Sequence, residues 1–333
     1  MPANGKPFDD VFKTLLEKCR KLIIPVINEV FGTDYLMEEN TLLLSNEFHY
    51  VSKDGDTVYR IADSCLKIRN KLYHIECQSN ADSSIEIRMI EYDFLIALSN
   101  AEKKDSELVL NFPDSAVLYL RHNKNTPDFL TVRMLLQDGS TTSYSIPVVK
   151  VQNYSKNEIF DKQLLFFIPY YILKFEDKIE TIAMDEAESK KFTAEYMDIY
   201  QRLKDLEKKN VIDVDYLYKL VELTGRLVDV VAGNAENLKS EVAIMGGEVL
   251  RLKSDEIFEA GISKGISQGL DQGVSQGEFL KIISQIRKKL MKHKSVEIIS
   301  EELEEDADLV EKIVKVIQEN NTATDTEVFK KIQ

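Results

Sequence analysis

The chain has 333 residues, 44% of them hydrophobic and 30% charged, with a formal net charge of −14. That length can bury a full core and divides into two or more parts, and the excess of acid argues against a general electrostatic grip on nucleic acid, which Lys and Arg supply at phosphates. No apolar run approaches the ~20 residues needed to cross a bilayer, and residues 1–10 lack the charged-then-apolar layout of a signal peptide, so a soluble, cytoplasmic protein is expected.

From the start of the chain, Phe12, Leu15, Leu16, Ile23 and Val26 recur at helical spacing through residues 8–31, with Pro25 expected to kink or break the helix. Residues 47–51 form a first strand. Residues 58–68, rich in β-branched and apolar types, form a second, paired with 72–78 across Arg69-Asn70-Lys71 or part of it. Along 72–78, Glu76 and Gln78 share one face with His74, while Ile75 and Cys77 point the other way. A turn of two or four residues sets Asp63 on that same face. A turn of three sets it opposite Cys77 and dismantles the group. His74 is expected to pack or to bind water.

An acidic residue in one strand (Asp63), Glu76-Cys77-Gln78 in the next, and a helix carrying Arg88-Met89-Ile90-Glu91-Tyr92-Asp93 together resemble the recombination-promoting nuclease and putative transposase family of the PD-(D/E)XK nuclease superfamily. The resemblance extends to Asp9-Asp10-Val11-Phe12-Lys13 and to Met245-Gly246-Gly247 with the glycines after it, so it spans nearly the whole chain. It implies an α+β fold, an α/β sandwich with a restriction-endonuclease-like core of mixed sheet flanked by helices, followed by an all-helical C-terminal region. It also implies metal-dependent hydrolysis of DNA phosphodiesters in recombination or mobile-element activity.

Asp63 and Glu76 would be the carboxylates for Mg2+, with Mn2+ as a substitute, because a hard octahedral cation needs only one or two carboxylates plus phosphate and water; a backbone carbonyl near Cys77 would complete the shell. Most superfamily members place a lysine where Gln78 stands. The named branch carries this glutamine, whose amide orients by hydrogen bonds and adds no charge. The acid from the first helix is assigned to Asp9, with Asp10 and Glu17 as alternatives. Arg88 is assigned to a substrate phosphate, or else pairs with Asp63 or Glu91. Replacing Asp63 or Glu76 is expected to remove activity and leave the fold intact.

Residues 83–98 read as a helix, and 108–112, 116–120, 129–136 and 144–151 as strands. The aromatic run 163–175 reads as core and not as a base-stacking surface. Residues 1–178, the nuclease-like part, hold 21 Lys and Arg against 26 Asp and Glu, and the remainder 22 against 31. Most excess acid is therefore outside the site-bearing part, and Arg60, Lys67, Arg69, Lys71 and Arg88 offer it a local basic rim. Cys19, Cys65 and Cys77 match no zinc spacing and are expected to be small buried hydrophobes.

Beyond residue 178 the pattern is helical through 258, with Met245-Gly246-Gly247 as an interruption. Gly261, Gly265, Gly269, Gly273 and Gly277 then repeat every four residues beside Ile262, Ile266, Leu270 and Val274 across 259–278. Such a stripe is either a close-packing helix face, suited to a homo-oligomer, or a linker. Three short helices over 279–333 complete the chain, the last opened by Asp308 with Glu311 as a capping box. DNA is the expected partner. Two other classes compete with the nuclease: a degenerate nuclease fold that binds without cutting, and an interaction protein whose helical tail is the working part.

Overall fold

In the computed structural model, which describes residues 6–51, 57–80 and 82–332, the first helical segment breaks at Cys19 and not at Pro25. Helix α1 (Lys6–Lys18) gives way to a 3-10 turn, Arg20–Leu22, and α2 (Ile23–Phe31) follows. Pro25 sits in the first turn of α2, where a missing N–H costs no intrahelical bond. Gly32, at φ 63°, closes α2 in the left-handed conformation that glycine tolerates.

Strands β1 (Thr41–Leu43), β2 (Glu47–Val51), β3 (Thr57–Ile61), β4 (Leu66–Ile68) and β5 (Lys71–Gln78) come next, and helix α3 (Ile85–Ser99) follows β5. After it run β6 (Glu102–Lys104), β7 (Glu107–Val109), β8 (Asp114–Tyr119), β9 (Phe129–Leu135) and β10 (Thr141–Lys150). Among the described residues, six strands form one mixed sheet in the order β1-β4-β5-β8-β10-β9. β5, β8 and β10 run parallel at its centre, and the remaining pairs are antiparallel. Two departures from expectation in this region are local. Residues 58–68 are two strands, since β3 pairs with β2 in a separate ribbon. β7 leaves the main sheet to pair with β6.

The sheet is sandwiched. Tyr73, Ile75, Leu118 and Val149 face a large core built by α1, α2 and the 3-10 helix Leu165–Lys174, whose run from Leu165 to Leu173 is buried throughout. The opposite face carries Leu72, Val117, Tyr119 and Ile146, packed against Ile85, Met89, Tyr92 and Ile96 of α3. Short helices α4 (Lys156–Asp161) and α5 (Ile179–Met184) lead to α6 (Glu186–Lys208) and α7 (Val214–Val231), which bury Tyr196, Tyr200, Leu217 and Leu227 in the first of these cores.

Helix α8 (Glu236–Leu290) runs straight through Met245-Gly246-Gly247, the expected interruption. A Cβ at Gly246 would stand 3.1 Å from Val221 Cγ1 and 3.6 Å from the Tyr200 ring, so glycine here admits a close approach to α6 and α7. The later glycines fall within this helix, yet nothing lies within 4 Å of a Cβ built at Gly261, Gly265, Gly269 or Gly277, and Ile262 and Ile266 are exposed. The side-chain surroundings of Leu270, Gly273 and Val274 lie outside the described residues.

The chain divides into two compact units, Met1–Arg251 and Leu252–Gln333. In the second, the end of α8 packs Ile283 and Ile286 with α9 (Val296–Leu303), α10 (Ala307–Glu319) and α11 (Asp325–Ile332) around Ile299, Ile313 and Val328. Asp306, not Asp308, caps α10, accepting the Leu309 N–H at 3.0 Å. No described helix is long and apolar enough to cross a membrane.

Candidate active site

The turn between β4 and β5 holds two residues, Arg69 and Asn70, since Ile68 pairs with Lys71. Counting back along that register sets Asp63 opposite Glu76. The backbone ladder stops before it gets there, because the chain breaks from strand between Ile61 and Leu66. Ser64 fills the gap with its side chain: its Oγ donates to the Ile75 carbonyl at 2.8 Å and accepts the Ile75 N–H at 2.9 Å. Asp63 then meets β5 from the side, its N–H donating to Glu76 Oε1 at 2.8 Å while its Oδ2 accepts the Cys77 N–H at 2.9 Å.

At the carboxyl end of β5 a cavity of about 300 Å³ is lined by Asp63, Gln78, Arg88, Asp9 and Lys6, with Cys77 and Ser79 of the strand end. Crevices beyond the carboxyl ends of parallel strands are the usual ligand sites of open α/β sheets. Of the three first-helix acids, Asp9 lines this cavity, paired with Lys13 at 2.9 Å. Asp10 reaches away to Arg226 at 3.1 Å, and Glu17 is exposed. The Gln78 amide has no hydrogen-bond partner among the described residues.

Glu76 is fully buried and sits between two cations. Arg88 donates to Glu76 Oε2 at 2.5 Å and to Asp82 Oδ2 at 3.0 Å, so it bridges neither Asp63 nor Glu91, the partners considered from sequence. Glu91 is instead bonded to Arg60 at 2.7 Å. On the other side, His74 Nε2 donates to Glu76 Oε1 at 3.1 Å, and its Nδ1 donates to Asp93 Oδ1 at 2.6 Å. Asp93 also accepts from Ser115 Oγ at 2.6 Å and the Tyr144 hydroxyl at 3.2 Å. His74, Glu76 and Asp93 are all 0% exposed. Replacing Glu76 therefore cuts into a buried network, contrary to the expectation that it leaves the fold intact.

The charges shift accordingly. Burial and the neighbouring Glu76 charge push the Asp63 carboxyl up from 3.8 to about 7, against the Cys77 hydrogen bond and Lys13. For His74, burial works against the cation, but the bonds and charges of Asp93 and Glu76 outweigh it and raise the imidazole from 6.5 to about 9.

Among the described residues no group of three or more His, Cys, Asp or Glu side chains converges to hold a metal ion. The donor set that is present, Asp63 with Glu76, suits a hard cation that takes one or two carboxylates and keeps its waters. Asp63 Oδ1 accepts no hydrogen bond from the described residues, and Glu76 Oε2 accepts one.

The basic rim is not assembled at this cavity. Arg69 pairs with Glu39, and Lys71 with Asp114 at 3.4 Å. Lys67 and Lys71 line a different cavity, with Asn70 and Asn111, at the opposite end of β5. Lys6 and Arg88 are the cations on the candidate site. Sequence reasoning passed over Ser64, Asp93 and Lys6 and gave His74 no role. One signal was available: His74, Glu76 and Gln78 form a polar row on a strand face, and buried polar groups require partners. Comparison with protein-family models, curated proteins and solved structures finds no match for this chain.

Proposed function

We propose that the cavity at the end of β5 is the site of a metal-dependent DNA endonuclease. The observation that carries this reading is a cavity lined by the acids Asp63 and Asp9 with Gln78, Lys6 and Arg88, behind which the buried Glu76 carboxylate accepts the Asp63 backbone N–H. Asp63 and Glu76 would hold Mg2+ or Mn2+, which when bound supplies a water of lowered pKa and neutralises charge growing on a phosphate. Gln78 offers an unengaged amide that orients a water or phosphate oxygen by hydrogen bonding. Lys6 binds a phosphate oxygen as a point charge, and Arg88 does so through its planar fork once it shares Glu76 with the cation. The sequence resemblance extends the reading to recombination or mobile-element DNA.

The test is cleavage of supercoiled, linear and single-stranded DNA by the purified chain with Mg2+, Mn2+ or EDTA. Nicking that needs the metal and is lost in Asp63→Asn supports the endonuclease. Metal binding without cleavage of any of the three substrates supports the degenerate fold instead.

A further inference from the structure

We infer that His74 is a positioning residue, anchored on Asp93, that fixes the orientation of the Glu76 carboxylate beside Asp63. The inference rests on the metal site proposed above and assigns a role within it to residues that do not touch the cavity.

His74 is wholly enclosed and reaches neither substrate nor solvent, so it takes no direct part in chemistry. Its ring nitrogens both meet carboxyl oxygens, Asp93 Oδ1 at 2.6 Å and Glu76 Oε1 at 3.1 Å. A histidine that merely filled core space would be satisfied by one such partner. This one spans two acids.

The anchor is held independently of α3, the helix that supplies it. Ser115 Oγ from β8 and the Tyr144 hydroxyl from β10 both donate to Asp93, tying it to two central strands of the sheet. Force applied at Asp93 is thus passed through a rigid ring to Glu76. At Glu76 the two oxygens are unequal: Oε1 accepts from His74 Nε2 and the Asp63 N–H, and Oε2 accepts only from Arg88. Rotating the carboxylate would strip Oε1 of both donors. Oε1 is locked by two donors, and Oε2 is held by Arg88 among the described residues. Partners that hold a metal-binding side chain in this way commonly control affinity by roughly 10- to 100-fold.

The experiment titrates the full chain with Mn2+ alone, following free Mn2+ by electron paramagnetic resonance. Asp93→Leu keeps roughly the side-chain size and removes both acceptor oxygens of the anchor without touching Glu76 or the cavity, and His74→Gln removes the ring. Each should lower Mn2+ affinity roughly 10- to 100-fold below its melting temperature. Leu220→Ala, a destabilising change in the core on the other side of the sheet, should leave affinity unchanged. Wild-type affinity in folded Asp93→Leu or His74→Gln overturns the positioning role alone. A wild-type chain that takes up no Mn2+ overturns the metal reading as well. Should both variants fail to fold, histidine 15N spectra of the wild type decide: the His74 ring signals are expected to move on adding Mg2+, and no movement while Mg2+ binds overturns the inference.

Discussion

Ser64 and Ile75 are joined twice through one hydroxyl, which donates to the carbonyl and accepts from the amide of the same residue. The side chain stands in for a missing rung of the ladder and lets the backbone swing Asp63 beside Glu76. Ser64→Ala would leave a buried N–H and a buried C=O without partners, at a cost of about 1–3 kcal/mol. Urea denaturation measures it, and an unchanged midpoint would contradict the role given to this hydroxyl.

Asp63→Asn and Glu76→Gln should both abolish metal-dependent nicking but part company in stability. The first removes a carboxylate crowded by a like charge and should leave the metal-free protein as stable or more so. The second leaves the buried His74 with Asp93 alone and Arg88 with Asp82 alone, and breaking a buried pair costs on the order of 3–5 kcal/mol. Thermal melts in EDTA compare the two, and equal losses would show that Glu76 is not the centre of the network.

The metal-free protein should lose stability as the pH rises. Asp63, raised from 3.8 to about 7 in the folded chain, holds a proton that the unfolded chain has shed, so stability falls across that interval. His74 contributes stability that is fully present below 6.5 and is lost as pH climbs through about 9. Melting curves in EDTA from pH 4 to 9 for wild type and Asp63→Asn should differ in slope below pH 7 and run parallel above it. Parallel curves throughout would remove the charge conflict at Asp63.

Neighbouring glycines of α8 should respond oppositely. Gly247 has open space around it, and Gly247→Ala should stabilise by up to about 1 kcal/mol through helix propensity. Gly246→Leu should destabilise, because its first carbon already meets Val221 and Tyr200. The exposed Gly261, Gly265 and Gly269 tolerate leucine within the monomer, so a triple leucine variant reads self-association through that stripe by sedimentation. Wild type and variant running as one species would remove the stripe from any interface.

The alternation of β5 was legible because strand parity alone puts His74, Glu76 and Gln78 in one row, and the turn length set the register that aligns Asp63. The break at Ser64 was hidden, since a hydroxyl replacing a backbone rung depends on tertiary position and leaves no periodic trace. Asp93 was equally out of reach: its meeting with Ser115 and Tyr144 requires β8 and β10 to lie parallel beside β5 under α3, which no local spacing encodes. The helical core of residues 163–175 could be read from its apolar density. The placement of Pro25 could not, because a proline in a first turn and a proline at a break share the same local sequence.

Helix α3 meets β5 at two charged points, Arg88 on Glu76 and Asp93 on His74. Five residues along a helix advance about 7.5 Å, and two along a strand about 6.6 Å, so the two spacings nearly coincide. The apolar contacts of α3, through Ile85, Met89 and Ile96, would accept a small slip along the sheet with little penalty. The paired charges would not, since a slip that spoils one spoils the other. The helix is therefore keyed to its strand as a two-pin plug is to its socket, and the hydrophobic side chains around the pins are free to vary in shape without letting the site drift.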